Sequence, residues 1–370
     1  MILRLQKKVI MDNESLTIGS VKDSMKVISL KEFSETEILY IKEMLEMLES
    51  DVEEKTMLSI LKEIIIESSK IKDDVNSSYN KILEILEILK HYRAVNFVEA
   101  IENNKLYKTW LYLQEVYNVN IEQIQEISNK KVAIVGCDSI GSHVALSLAR
   151  MGVKNFILTD NVKVTENSVL EDVYNINEID MFNVEALQQQ LLMIDPNINV
   201  EIRYCRLIEK MSAHLLTILT LEEYGNADIV CWCKNTEVDP CLSAAILKSA
   251  IEYNTPIIFG GVKEHMGYAG PFFDTEDLET YSADYKNLQN PIYKILKKAE
   301  EAKKASYKRN ISFIYEDKYC PQPNWTPLNI QVGSYVADAI YLYLLKGKNK
   351  IKGERYLINS KKNTFDKIRL

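Results

Sequence analysis

The 370-residue sequence lacks any apolar run approaching the ~20 residues that cross a bilayer, so it offers no membrane span. It also lacks the apolar stretch of a signal peptide. Arg4, Lys7 and Lys8 alternate with apolar positions in Met1–Ile10, which argues against export. Excess positive charge is missing. A net charge of −8 argues against a chain-wide basic surface for nucleic acid. The six cysteines include no Cys-x-x-Cys pair, and in a long chain without an export signal they read as reduced thiols of a cytoplasmic protein. His91, His143, His214 and His265 accompany no Ser or Cys in a recognisable nucleophile turn, so triad chemistry is not expected.

What is present is a globular composition, 46% hydrophobic and 26% charged. At roughly 100–200 residues per domain, two domains are expected. In residues 1–95 the pattern predicts three strands, Ile2–Ile10, Leu16–Ile18 and Lys26–Leu30, with turns at Asp12-Asn13 and Val21–Ser24. Ser34 and Glu37 form a capping box, followed by Ile38, Ile41, Leu45 and Leu48 at helical spacing. Further helices are expected over Met57–Ile66 and Tyr79–Tyr92. The unit reads as small and α+β, with too few apolar residues for a large core.

Residues 96–370 read differently. A helical connector bearing Tyr107, Trp110, Tyr112 and Tyr117 leads into alternating elements. Strands are expected at Val132–Val135, Phe156–Thr159, Val200–Tyr204, Asp228–Trp232 and Pro256–Phe259. Helices are expected at His143–Met151, Val184–Ile194, Ala244–Tyr253 and Val332–Leu345. This rhythm predicts an α/β fold with a doubly wound, Rossmann-like parallel sheet. His265–Pro271 reads as a loop and Pro291–Lys308 as a solvated helix.

The most informative stretch runs from Lys131 to His143, an apolar strand leading through a glycine turn into a helix. Gly136 would make the tight bend and Gly141 would let helix and strand approach. The middle position, where a third glycine admits a phosphate, is Asp138. Asp160 closes the next strand where a ribose-binding acid belongs, although a polar strand cap is an equal reading. Cys137 in the turn is read as a packing residue. Cys231 and Cys233 would share one face of a buried strand, and no metal site is expected there.

This pattern resembles the ThiF/MoeB family, the fold of ubiquitin-activating enzymes. Val132–His143, Gly152-Val153, Val164–Asn167 and Asp195-Pro196-Asn197 carry the resemblance. Glu102–Lys108 upstream resembles the subgroup that activates microcin C-type precursor peptides. The resemblance implies a winged-helix-like peptide-clamp domain over 1–95, a homodimer, and adenylation of a carboxyl terminus with ATP and Mg²⁺. Carried over by position, the nucleotide site comprises Gly136, Asp138, Gly141, Asp160 and Asn167, with Glu237 or Asp239 for Mg²⁺ and Lys108 or Lys105 as the upstream cation. Two family cations fall on Leu170 and Asn183, and a second acid falls on Val162. In the clamp, Lys26, Val27, Ile28, Ser29 and Leu30 form a free strand edge for the peptide. Ile82, Ile85, Leu86 and Leu89 wall a groove, and Lys22, Lys26 and Lys31 favour an acidic leader.

Asp138, Leu170 and Asn183 each remove attraction for a polyanion, so the nucleotide site reads as degenerate. The expectation is a non-enzymatic scaffold without cofactor. It would hold the leader of a ribosomally made peptide, as in bacteriocin or thiopeptide biosynthesis, for a partner cyclodehydratase or dehydrogenase. The alternative is an ATP-dependent adenylyltransferase. A dinucleotide-dependent oxidoreductase is disfavoured by the missing middle glycine.

Overall fold

A computed structural model describes residues 2–5, 9–19, 26–50, 52–68, 72–92, 94–97, 106–117, 119–205, 227–233, 240–309, 325–347, 351 and 354–369. The chain divides into two compact units, Met1–Lys108 and Thr109–Leu370.

The first unit contains β1 (Ile2–Leu5), β2 (Val9–Met11), β3 (Ser15–Ile18), β4 (Lys26–Ser29), α1 (Glu35–Leu48), β5 (Val52–Glu53), α2 (Glu54–Ser68), α3 (Lys72–His91) and β6 (Val95–Phe97). The expected first strand is two strands in different sheets. β2, β3 and β4 form one antiparallel sheet, while β1 pairs with β5 and β6 in another. The three successive polar residues Gln6-Lys7-Lys8 separate the two pieces in the sequence. Asp12 makes the expected turn, its Oδ1 accepting the N–H groups of Glu14 at 2.8 Å and Ser15 at 2.7 Å. The capping box is present: Ser34 Oγ accepts Glu37 N–H at 3.3 Å, and Glu37 Oε2 accepts Ser34 N–H at 2.8 Å. The core is larger than expected. Leu3, Leu16 and Leu30 meet Ile41, Met44, Leu61 and Ile65, with Ile82, Ile85, Leu86 and Leu89 from α3. β6 follows the third helix and pairs back to β1, so this unit extends past residue 95.

α4 (Tyr107–Tyr117) spans the boundary, and α5 (Ile121–Ile127) precedes the second unit's sheet. The parallel part contains β7 (Lys131–Val135), α6 (Ser139–Arg150), β8 (Asn155–Thr159), α7 (Glu166–Glu171), α8 (Asn183–Ile194), β9 (Asn199–Arg203), β10 (Ile229–Trp232), α9 (Pro240–Glu252) and β11 (Ile257–Lys263). Then come β12 (Met266–Phe273), α10 (Thr275–Ala283), α11 (Pro291–Arg309), α12 (Thr326–Lys346), β13 (Glu354–Asn359) and β14 (Thr364–Arg369). The sheet order is β14-β13-β12-β11-β10-β7-β8-β9. Strands β11 to β9 run parallel, and β12, β13 and β14 add antiparallel.

Ala133, Val135, Val230 and Trp232 on one face pack with Leu247 of α9, Leu278 of α10 and Leu296 of α11. α6 and α12 lie together: a Cβ added to Gly333 of α12 would come 2.8 Å from His143 Cβ of α6.

Two expectations fail here. The expected loop at His265–Pro271 is most of β12, between β11 and β13. Its glycines hide the strand from a pattern search, because they serve close approach. A Cβ at Gly267 would lie 2.5 Å from a methyl of Val332. Residues beyond α12 also form a strand pair, where the sequence suggested only a C-terminal helix.

Candidate functional site

β7 and β10 are neighbours, yet the chain reaches β10 only after laying β8 and β9 on the other side. This is the topological switch point, where the strand ends of an open α/β sheet leave a crevice. The glycine turn sits there. Gly136 has φ +88, and its N–H donates to Thr159 O at 2.9 Å. Only a residue without Cβ takes that conformation at low cost. A Cβ at Gly141 would fall 1.8 Å from Gly136 O, so α6 starts directly against the turn. Asp138 is the N-cap of α6 with φ −84 and ψ −153, an extended geometry open to any residue, and its side chain makes no capping bond. Glycine at this position is therefore not needed by the backbone.

Asp160, 2% exposed, braces the turn. Its Oδ2 accepts Cys137 N–H at 2.9 Å, and its Oδ1 accepts Asn161 N–H at 2.7 Å and Val162 N–H at 3.1 Å.

The sequence reading missed Tyr174 and Asp172. The Tyr174 hydroxyl donates to Cys137 O and lies 3.3 Å from Asn183 O, tying the turn to the start of α8. Burial pushes its pKa well up, so it remains a donor. Asp172 lies beside Ser139, the first residue of α6. Burial raises its carboxyl to about 6, the Ser139 hydroxyl partly opposes this, and Glu171 adds to it. Asp172 Oδ1 and Asn183 Oδ1 are buried and accept no hydrogen bond among the described residues. A bare Asp-x-Tyr between two helices carries no sequence signal for such contacts.

Asn167 is on exposed α7, and Leu170 on the same helix is 81% exposed. Asn183 is only 1% exposed at the start of α8. Val162 is exposed on the loop after Asp160. The same loop carries Lys163, whose ammonium lies 5.5 Å from the Phe182 ring centroid. Lys108 is exposed on α4, in the first unit. Lys105, Glu237, Asp239 and Lys22 lie outside the described residues.

Cys231 and Cys233 are buried with their sulfurs 3.3 Å apart. Contact with Cys231 and burial push the Cys233 thiol well up, and nearby Asp138 and Cys137 add to this. Cys233 is therefore an unreactive thiol.

In the first unit, β4 is an edge of its sheet and Val27 is 65% exposed. Leu30 is buried. Ile82, Ile85, Leu86 and Leu89 are buried too, where the sequence suggested the wall of a groove. Their shared helical face meets the side chains of α1 and α2, so they form core.

The sequence profile of the ThiF family matches residues 112–370, most of the chain. The chain belongs to the ThiF family.

ThiF membership agrees with the sheet and its glycine turn. Ubiquitin-like modifier-activating enzyme 5 of Caenorhabditis elegans is 32% identical over 104 residues, which span 28% of this chain and 24% of that protein. The Drosophila mojavensis protein of the same name is 26% identical over 179 residues, 47% of this chain and 44% of that protein. The chain thus aligns with less than half the length of these relatives. Among solved structures, E. coli MccB with ATP superposes with a TM-score of 0.63 at 17% identity, covering 100% of this chain and 97% of that one. PaaA superposes with a TM-score of 0.65 at 15% identity, covering 98% of both chains. At such identity these matches establish the fold.

The comparisons overturn the expectation of a non-enzymatic chain without a nucleotide. MccB is solved with ATP and with AMPCPP plus MccA, and is described as a microcin C7 biosynthetic enzyme. The sequence relatives are activating enzymes. The expectation counted substitutions and took each as a loss. The geometry at Asp138 shows that the turn itself is intact. No helix among the described residues is long and apolar enough to cross a membrane.

Proposed function

We propose that this chain is an ATP-dependent adenylyltransferase that activates a carboxylate of a ribosomally made precursor peptide. The observation that carries the reading is the braced glycine turn at the switch point, with Gly136 at φ +88, Gly141 under its carbonyl and Asp160 behind it. The peptide carboxylate would attack the α-phosphate of bound ATP and take the adenylyl group, and the β- and γ-phosphates would leave together as pyrophosphate.

The residues at the turn fit such a group. The N-terminus of α6 concentrates backbone N–H groups and the positive end of a helix dipole beside the crevice. Asp160 fixes the turn's position and closes the strand at the point where a ribose-binding acid belongs. Tyr174 anchors the Cys137 carbonyl, so the turn does not have to reorganise when charge develops. Asp138 brings one negative charge to the mouth of this site, which a Mg²⁺ ion accompanying the phosphates would offset. Lys163, on the loop after Asp160, is the cation we propose for the triphosphate, and Glu237 or Asp239 is the acid we propose for Mg²⁺.

For the first unit we propose precursor recognition through the β4 edge, Lys26–Ser29. The peptide would add as a strand, with Lys26 and Lys31 favouring acidic residues. The buried α3 residues are not part of this surface.

Calorimetric titration of the full chain with MgATP tests the nucleotide reading. Micromolar to sub-millimolar affinity, lost in Asp160→Ala, supports it. Absence of heat at millimolar ATP removes it.

A further inference from the structure

The second unit has an open feature far along the sheet from the glycine turn. Among the described residues β14 is the terminal strand of the eight-stranded sheet, and each of its residues is exposed. Beside it, between the start of α12 and the β13–β14 turn, lies a pocket of about 350 Å³. Trp325, Tyr335 and Phe365 give it aromatic walls, and the amides of Gln331, Asn359 and Asn363 line its polar part. None of its described lining residues is charged. Trp325 is 58% exposed and Phe365 47% exposed, an unusual degree of display for large aromatic rings. The rings are not loose. Phe365 packs 4.9 Å from Tyr335 and 5.1 Å from Tyr356, centroid to centroid, so the pocket is pre-organised.

The charge beside the pocket is opposite to that of the chain. Residues 354–369 contain five cations, Arg355, Lys361, Lys362, Lys367 and Arg369, against two acids, Glu354 and Asp366, while the chain carries −8. Arg355 is turned onto the Tyr268 ring and Lys367 pairs with Glu354, which leaves Lys361, Lys362 and Arg369 as the outward cations of the hairpin. A second copy of this strand is a poor occupant. Edge-to-edge antiparallel pairing of two β14 strands would bring Arg369 of each copy to the turn end of the other, toward Lys361 and Lys362.

We propose that β14 and its pocket bind an extended acidic peptide segment of a partner protein. The segment pairs with the strand edge through main-chain hydrogen bonds, and one aromatic side chain enters the pocket. Glutamates and aspartates flanking that anchor face Lys361, Lys362 and Arg369. This site is separate from the β4 edge, and it stands whether or not the adenylation reading holds.

The test uses the full chain and a fluorescein-labelled octapeptide of alternating glutamate and valine with one central phenylalanine. Anisotropy should show saturable binding in low salt. Affinity should fall about tenfold or more in the double variant Lys361→Glu/Lys362→Glu, and similarly in Phe365→Ala. The charge variant alters only exposed side chains, so it reads binding even if Phe365→Ala disturbs the hairpin. Hydrogen exchange should show new protection in residues 364–369 on peptide addition. Loss of binding in a Val27→Pro variant with no effect of the hairpin variants would overturn the proposal, as would failure of the probe to bind. Protection of 364–369 without peptide, together with a dimeric mass, would overturn it in favour of a second copy.

Discussion

Gly141 and Gly136 are in contact through a missing side chain: a Cβ on Gly141 would stand 1.8 Å from the Gly136 carbonyl oxygen. Neither atom belongs to a flexible tip, so the clash has no local relief. Gly141→Ala should therefore destabilise the second unit by roughly 3 kcal/mol, at the upper end of overpacking costs. Gly136→Ala meets a different obstacle, its φ of +88, and should cost about 1–2 kcal/mol. Urea denaturation midpoints measure both. A Gly141→Ala protein within 0.5 kcal/mol of the parent, on the order of an ordinary surface change, would show that α6 does not start against the turn.

Asp172 gives the pH dependence a defined sign. Its folded carboxyl titrates at about 6, raised chiefly by burial from an ordinary value of 3.8. The native state therefore holds this proton more tightly than the unfolded chain does. The contribution is fully present below the unfolded value and is lost as pH rises through about 6. A shift of this size corresponds to about 2–3 kcal/mol. Asp172→Asn should match the parent near pH 4 and exceed it in stability by roughly that amount at pH 7.5. Equal urea midpoints at both pH values would mean the carboxyl is not buried against Ser139.

The first unit offers an independent check at its capping box. Burial opposes ionisation of Glu37, but the Ser34 N–H and the Lys81 ammonium outweigh it and hold its pKa below the ordinary value. Ser34→Ala removes the acceptor for Glu37 N–H and should cost about 1 kcal/mol. Thermal unfolding at pH 7 measures the loss. The stabilisation from Glu37 itself is present above the unfolded carboxylate value and fades as pH falls below it.

Some of this was legible in the sequence. The glycine turn is a local object, a strand and a helix joined by residues whose spacing states their geometry, and Gly136, Gly141 and Asp160 fall where that spacing puts them. The Ser34–Glu37 box is local in the same way. Tyr174 was not legible, because its partner Cys137 is distant in sequence and only the fold brings them together. β12 was hidden by glycines that serve packing instead of turning. Ile82, Ile85, Leu86 and Leu89 show why a helical apolar stripe does not distinguish a groove wall from core, since both need the same spacing. The overturned expectation of a chain without enzyme activity or nucleotide came from Asp138, Leu170 and Asn183, taken as lost contacts from residue type alone. Backbone geometry at Asp138 shows an unstrained turn, which residue type does not reveal.

Adenylation of a carboxylate releases pyrophosphate, and that release is the direct readout of the proposed activity. The 370-residue chain is mixed with MgATP and each short peptide encoded beside its gene, and pyrophosphate is followed by a coupled assay. Release should require one such peptide, with a mass gain on that peptide equal to an adenylyl group, and both signals should be lost in Asp160→Ala. Binding of the peptide without pyrophosphate or adenylated product, at saturating MgATP, would contradict it.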